Sequence, residues 1–217
     1  MENWDDIWEK IGNKFDDLDS LGGLNGHQDR AKIMGKNNIK YVPKDQNKAA
    51  IDTVNDIIET TNLENKILEF GCGAGRLAKI FIEKKINYFG LEKSSSLVEK
   101  YKQKINKNTI LRITDTKLPF DDNHFDTVFV WSVLHYLKDK KELNNLLSEF
   151  ARISKKYIYL GDLVTIDNTK KLGKSYENLS HLIISREYIK NFFPNNQIVF
   201  NKNNVCFESR YNCIIKL

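Results

Sequence analysis

Three glycines at alternate positions, Gly71, Gly73 and Gly75, stand directly after the apolar run Ile67-Leu68-Glu69-Phe70, with Cys72 and Ala74 between them. Glycine has no Cβ and reaches positive φ at little cost, so such a turn lets main chain approach a small ligand closely. Arg76-Leu77-Ala78-Lys79 follows with a helical pattern. A turn from strand into helix lies at the carboxyl end of the strand, where open α/β sheets bind ligands. The spacing is G-x-G-x-G, whereas a dinucleotide pyrophosphate site usually has G-x-G-x-x-G, with its last glycine one residue later. Three further groups could do chemistry. Glu92 ends the run Asn87-Tyr88-Phe89-Gly90-Leu91, where a carboxylate can accept both hydroxyls of a ribose. Asp115 follows Ile110-Leu111-Arg112-Ile113-Thr114. His135 lies just past Phe125-Asp126-Thr127-Val128-Phe129-Val130-Trp131, and an imidazole with an ordinary pKa of about 6.5 suits proton removal at neutral pH. Taken singly, each also has a plain structural reading: a tight turn, a solvated strand-end acid, a turn-capping Asp, a histidine packed at a helix start.

The elements that must hold these groups alternate between strand and helix. Ile51, Val54, Ile57 and Ile58 give helical spacing over Asn47 to Thr60, ahead of the first strand. Leu77, Ile80, Phe81 and Lys84 continue one helical face after the glycine turn, and the serines at 94 to 96 can cap a helix carrying Leu97, Val98 and Tyr101. Asp139 and Glu142 have capping-box spacing before Leu143, Leu146, Leu147, Phe150 and Ile153. A fifth strand is predicted over Lys156 to Gly161 and a helix over Ser185 to Phe193, stopped by Pro194. Two last strands, Gln197 to Asn201 and Val205 to Leu217, lie too close together for a crossover and should pair as an antiparallel hairpin.

Taken in order, the glycine run, Glu92, the segment Thr114-Asp115 with Lys117-Leu118-Pro119-Phe120, and Phe125 to Leu137 resemble the successive motifs of class I S-adenosylmethionine (SAM) dependent methyltransferases. The resemblance implies an α/β, doubly wound, Rossmann-like sheet of seven strands, mostly parallel with an antiparallel final strand. It implies SAM contacts from Glu69, Gly71, Cys72, Gly73, Gly75 and Arg76 in the first motif, and from Glu92 and Lys93 in the second. Asp115 would accept from the adenine amine beside Thr116, and Trp131 would lie near the methionine end. Ser132-Val133-Leu134-His135 is similar to a segment of the phosphoethanolamine methyltransferases, where a histidine participates in catalysis. Those enzymes carry an aspartate where this chain has Trp131, and sugar methyltransferases are a further small-molecule likeness. No Asn-Pro-Pro-Tyr type motif follows the fourth strand, which disfavours nucleobase amines as acceptors.

Composition bounds the reading. The 217 residues fit one α/β domain, no stretch is long and apolar enough to span a bilayer, and the opening residues lack the basic-then-apolar pattern of a secretory signal. Cys72, Cys206 and Cys213 form no C-x-x-C pair, which argues against a disulfide framework and a zinc site; no metal and a cytoplasmic location are expected. The net charge of +5 divides into −5 over residues 1 to 30 and +10 spread diffusely over the rest. No basic stripe with interleaved aromatics marks a nucleic-acid face.

Residues 1–45, with Trp4, Trp8, Phe15 and Leu21-Gly22-Gly23-Leu24-Asn25-Gly26-His27, read as an arm over the cofactor or as a docking helix with a loop. The resemblance implies a SAM-binding domain over residues 46–217, with an insertion near 164–185. Lys171, Lys174, Tyr176, His181 and Arg186 there would hold an anionic acceptor or form a solvated, lysine-rich loop. The expected function is SAM-dependent transfer of a methyl group to an N or O atom of a small molecule, with His135 as base. The rival readings are a non-catalytic SAM-binding partner protein and an RNA methyltransferase.

Overall fold

A computed structural model of the protein describes residues 3–14, 46–63, 66–164, 182–202 and 210–217. The elements in chain order are α1 (Trp4–Lys14), α2 (Gln46–Thr61), β1 (Lys66–Phe70), α3 (Arg76–Glu83), β2 (Asn87–Glu92), α4 (Ser95–Lys104), β3 (Ile110–Arg112), β4 (Phe125–Trp131), α5 (Lys140–Ile153), β5 (Ser154–Leu163), α6 (Arg186–Phe192), β6 (Gln197–Lys202) and β7 (Tyr211–Lys216). The strands form one sheet in the order β3-β2-β1-β4-β5-β7-β6. Strands β1 to β5 pair in parallel, and β7 runs antiparallel to both β5 and β6. The final strand thus enters between β5 and β6 and is the antiparallel member, as the sequence leads one to expect.

The order of strands positions the site. From β1 the chain steps outward to β2 and β3 and then returns to β4 on the other side of β1. Connections leave in opposite directions at that point, which opens a crevice over the carboxyl ends of β1 and β4. The glycine turn follows β1, so it stands at this crevice.

Alternating side chains along each strand supply two cores. On one face Leu68, Phe70, Val128, Val130, Ile158 and Leu160 meet α5 through Leu143, Leu146, Leu147 and Phe150. On the other Ile67, Phe129 and Tyr159 meet Val54 and Ile57 of α2, Leu77, Ala78 and Phe81 of α3, and Val98 and Tyr101 of α4. Helix starts are fixed by side-chain caps. Ser94 accepts from the Leu97 N–H, Asp139 from the Glu142 N–H at 2.9 Å, and Ser185 from the Tyr188 N–H. Glu142 in turn accepts from the Lys138 N–H at 2.9 Å, which completes a reciprocal box around the start of α5.

Three boundaries differ from expectation. β5 begins at Ser154 rather than Lys156, because α5 passes into it without a loop and the lysines at its entry conceal the strand. It also continues past Gly161 through a buried Asp162. β7 begins at Tyr211 rather than Val205, and residues 203–209 lie outside the described residues. No helix among the described residues is long and apolar enough to cross a membrane.

Two substitutions gauge what holds this frame. Phe150 is fully buried and packs edge-on to Phe70 with ring centroids 5.2 Å apart. Phe150→Ala should cost about 3–5 kcal/mol by denaturant unfolding, whereas Asp139→Ala, which loses only a cap, should cost about 1 kcal/mol. Equal losses would contradict this division between packing and capping.

Candidate cofactor and active site

All three turn glycines have positive φ, +76° at Gly71, +56° at Gly73 and +91° at Gly75. Their surroundings differ. A Cβ on Gly71 would lie 2.5 Å from Val133, and one on Gly75 would lie 2.6 Å from the Tyr101 ring. A Cβ on Gly73 would meet nothing within 4 Å. Gly71 and Gly75 therefore let neighbouring segments pack against the turn, while Gly73 faces open space where a ligand can come close.

Four of the turn's N–H groups are engaged within the protein. Those of Gly71 and Cys72 donate to the Leu91 carbonyl at 2.8 and 3.0 Å, and that of Gly75 donates to the Cys72 carbonyl at 3.0 Å. The Gly73 N–H donates to Glu92 Oε2 at 2.8 Å. Glu92 Oε1 also accepts from the N–H groups of Lys93 and Ser94, at 2.8 and 2.9 Å. The carboxylate expected to meet ribose is thus also the fastener between the glycine turn and the β2–α4 turn. Burial raises its pKa, and the three N–H bonds only partly offset that cost.

Below the turn, Glu69, the penultimate residue of β1, has its side chain buried and accepts from the Tyr88 hydroxyl at 2.5 Å. Burial pushes its carboxyl up to about 8; the Tyr88 bond opposes this and the Glu92 charge adds to it. Cys72 places its Sγ against Gly90, 2.7 Å from where a Cβ would stand, and burial pushes its thiol well above the ordinary range. The thiol is directed into the sheet, so a cofactor contact from Cys72 would come from its main chain. Arg76 opens α3 directly after the turn and is half-buried.

The remaining sequence candidates sit on the same rim of adjacent strands. Asp115 is exposed beyond β3, and its Oδ1 accepts from the Thr116 N–H at 2.6 Å, which shapes the loop. Trp131 ends β4 and is half-buried, its ring stacked toward Tyr159 at 6.3 Å and 24°. His135 lies in a short 3-10 turn, Leu134–Tyr136, 1 % exposed, with its ring 4.1 Å from that of Tyr136 and its carbonyl accepting from the Leu182 N–H at 2.9 Å. Val133, two residues earlier, is the side chain that fills the space left by Gly71. The post-β4 segment is therefore packed directly on the glycine turn.

Helix α1 covers this junction. Glu9 accepts from the Ser94 and Ser95 hydroxyls, both at 2.8 Å, and from the Ser96 N–H at 3.1 Å. Burial works against its charge, but those serine bonds hold the Glu9 carboxyl below the usual range. Lys93 bridges Asp5 at 2.9 Å and Glu142 at 3.6 Å. Trp4 and Trp8 both meet the Tyr136 ring edge-on, at 4.6 and 5.2 Å. Gly12 permits the close approach, since a Cβ there would stand 2.0 Å from Ser96 Oγ. Sequence reasoning missed Glu9 and Gly12; their signal, an acid and a glycine three residues apart on one helix face, is too common to single out.

Phe15 and the 21–27 segment of the arm, and Lys171, Lys174, Tyr176 and His181 of the insertion, lie outside the described residues. Arg186 opens α6 with its guanidinium 5.2 Å from the Tyr211 ring and 5.7 Å from that of Phe200, so it packs on the β6–β7 hairpin. Among the described residues no group of three or more His, Cys, Asp or Glu side chains could hold a metal ion.

This arrangement of strands, glycine turn and strand-end acid meets a known pattern. Residues 68–159 match a family model described as a methyltransferase domain. Over this stretch the chain is similar to methyltransferases. It is 29% identical over 124 residues to an uncharacterized methyltransferase of Anoxybacillus flavithermus, an alignment covering 57% of this chain and 56% of that protein. The chain thus spans little more than half the length of the curated relatives it matches. A chain of the complex between the Haloferax volcanii Trm112 methyltransferase activator and a methyltransferase superposes with a TM-score of 0.65 at 15% identity, covering 100% of this chain and 98% of that one. The magnesium protoporphyrin IX methyltransferase of Synechocystis PCC 6803, solved with bound S-adenosylhomocysteine (SAH), gives 0.61 at 18% identity, covering 91% and 95%. At these identities the two structures share the family's fold with this chain.

The buried acid under the turn has a measurable consequence. Between the ordinary value of 4.5 and about 8 the folded protein holds a proton on Glu69 that the unfolded chain has released. Its contribution to stability is complete below the lower value and lost as pH rises through the upper one. Glu69→Gln cannot ionise, so its melting temperature should gain on wild type by about 3 °C or more between pH 5.5 and 9. A constant gap across that range would show that Glu69 does not titrate there.

Proposed function

We propose that the protein is an enzyme that moves a methyl group from SAM to an N or O atom of a small molecule, such as a sugar, a phosphorylated amino alcohol or a related biosynthetic precursor. The construction of the glycine turn carries this reading. A pyrophosphate cradle needs main-chain N–H groups aimed at the anion. Here the N–H groups of Gly71, Cys72, Gly73 and Gly75 bond within the protein, while Gly73 leaves its Cβ position open. Such a turn offers close steric fit beside a carboxylate, which suits a cofactor bearing a ribose and a positive sulfonium better than a dinucleotide.

When bound, SAM supplies an electrophilic methyl carbon with a thioether as leaving group. The residues of this chain have to orient both partners and take up a proton where the acceptor carries one. Glu69, Gly71, Cys72, Gly73, Gly75 and Arg76 form the methionine side of the cofactor site, Glu92 and Lys93 the ribose side, and Asp115 and Thr116 the adenine side. Trp131 lies toward the methyl group. His135 is the base, on the segment that Gly71 draws against the turn. Residues 1–45 act as the lid, of which α1 is the described part, and the 164–185 insertion shapes the acceptor site. A diffuse surface charge supports a small acceptor over nucleic acid, and two buried free thiols, Cys72 and Cys213, support a reducing, cytoplasmic setting.

Calorimetry tests the cofactor. SAM and SAH should bind, and NAD and FAD should not; nucleotide binding without SAM heat would refute the assignment. Gly73→Leu should block the site and Glu92→Ala should weaken it, each keeping the wild-type circular dichroism spectrum, and unchanged SAH affinity in both would remove these residues from the site.

His135 has its own test in steady-state kinetics with a turned-over acceptor. As a base, its loss in His135→Ala should lower kcat by roughly two to four orders of magnitude with SAM affinity nearly intact. An unchanged kcat with a raised acceptor KM would make it a positioning residue.

A further inference from the structure

The residue by which the chain leaves β4 is strained. Ser132 has φ of +58°, a left-handed conformation that crowds an L side chain and that glycine, or a locally bonding Asn or Asp, adopts more readily. Both of its neighbours are tied down. Trp131 lies against Gly161 of β5, where a Cβ would stand 2.2 Å from the indole, and Val133 lies against Gly71, where a Cβ would stand 2.5 Å from its methyl. The Ser132 N–H donates to the Gly161 carbonyl at 3.1 Å, so the tie between β4 and β5 runs right up to the turn. With one side chain held toward β5 and the next but one held toward β1, the chain crosses the end of β4 within a single residue. Ser132 takes the strain of that crossing.

Glycine would make the same turn without the crowding, since it reaches positive φ freely. Strained non-glycine residues persist where the surroundings enforce them, and they gather at functional sites. What serine adds over glycine here is a hydroxyl. That hydroxyl bonds to no other described residue, its oxygen is not sealed from solvent, and Ser132 as a whole is half-buried. Its place in the sheet is fixed by register. Phe70 of β1 stands opposite Val130 of β4, which puts Ser132 roughly one strand spacing, about 5 Å, from the start of the glycine turn. The hydroxyl therefore belongs to the same crevice that Gly73 leaves open.

We propose that the Ser132 hydroxyl binds the charged amino-acid end of the cofactor through a charge-assisted hydrogen bond, and that Trp131 and Val133 hold the turn in its strained form to present it. The inference rests on the methyltransferase reading, which lays that end of SAM along Gly71 to Arg76, and it adds a side chain from the end of β4 to that side of the site. Ser132 is the binding residue; Gly71 and Gly161, which admit its two neighbours, are positioning residues.

The test is calorimetry on the full chain with two ligands, SAH and 5′-methylthioadenosine, which carries the nucleoside and thioether without the amino acid. Ser132→Ala should weaken SAH by about tenfold or more and leave 5′-methylthioadenosine as in wild type, because only SAH has the charged group that the hydroxyl meets. Ser132→Gly, which also relieves the positive φ, should lose SAH affinity to the same degree while melting no lower than wild type, so that the loss is not one of folding. SAH affinity in both variants within about twofold of wild type, well below the effect of a charge-assisted bond, overturns the proposal. Equal weakening of the two ligands overturns it as well, since the hydroxyl would then act on the nucleoside or on the shape of the turn. Failure of wild type to bind SAH overturns the methyltransferase reading and this inference with it.

Discussion

The carboxylate of Glu92 is the joint on which the cofactor end of the molecule depends. It ends β2, yet it accepts main-chain N–H groups from the turn after β1 and from the turn leading to α4. Hydrogen bonds to a charged acceptor contribute about 1.5–3 kcal/mol each, but they must first offset the cost of burying the charge. The raised pKa says that here the burial cost is the larger effect. Glu92 is thus held in place by geometry that the rest of the sheet supplies, and its orientation is a product of strand order before it is a means of binding.

From that joint the docking of α1 follows. The Lys93 and Ser94 N–H groups point inward to Glu92, which sends their side chains outward, where Asp5 and Glu9 of α1 meet them. The same helix reaches Tyr136 through Trp4 and Trp8, and Tyr136 lies on His135. One short helix consequently touches both the β2–α4 turn and the segment that carries the candidate base. Its ion pairs are largely exposed and contribute little to stability, so the aromatic contacts and the close approach at Gly12 carry most of the docking.

Much of this was legible in the chain because it is encoded locally. The glycine turn, the Asp139 and Glu142 cap and the alternation of strand with helix each occupy a short window, and the hairpin nature of β6 and β7 follows from their separation alone. What was not legible depends on partners far apart in sequence. Glu92 as a fastener needs Gly73, 19 residues away; Glu9 needs Ser95, 86 away. The direction of the Cys72 thiol is set by Gly90 on the neighbouring strand, and no motif states it. The end of β5 was placed too early because Asp162 breaks the apolar run, and a single acid in a strand reads as a turn until its partner is known.

That asymmetry between the two halves of the rim has a physical origin. A cofactor shared across a fold family can be met by main chain and short motifs, since its shape does not change from one member to the next. Trp131, Gly161, Asp162 and Arg210, past the ends of β4 and β5, are brought together by the register of β5 against both β4 and β7. A shift of one residue in either pairing would separate the guanidinium from its carboxylate and return the indole to the wrong side of the sheet. The irregularity between Leu160 and Leu163 contains Asp162, which pairs with Arg210. This arrangement therefore resides in strand registration more than in any residue type, and sequence similarity confined to the glycine turn and the strand-end acid carries no information about it.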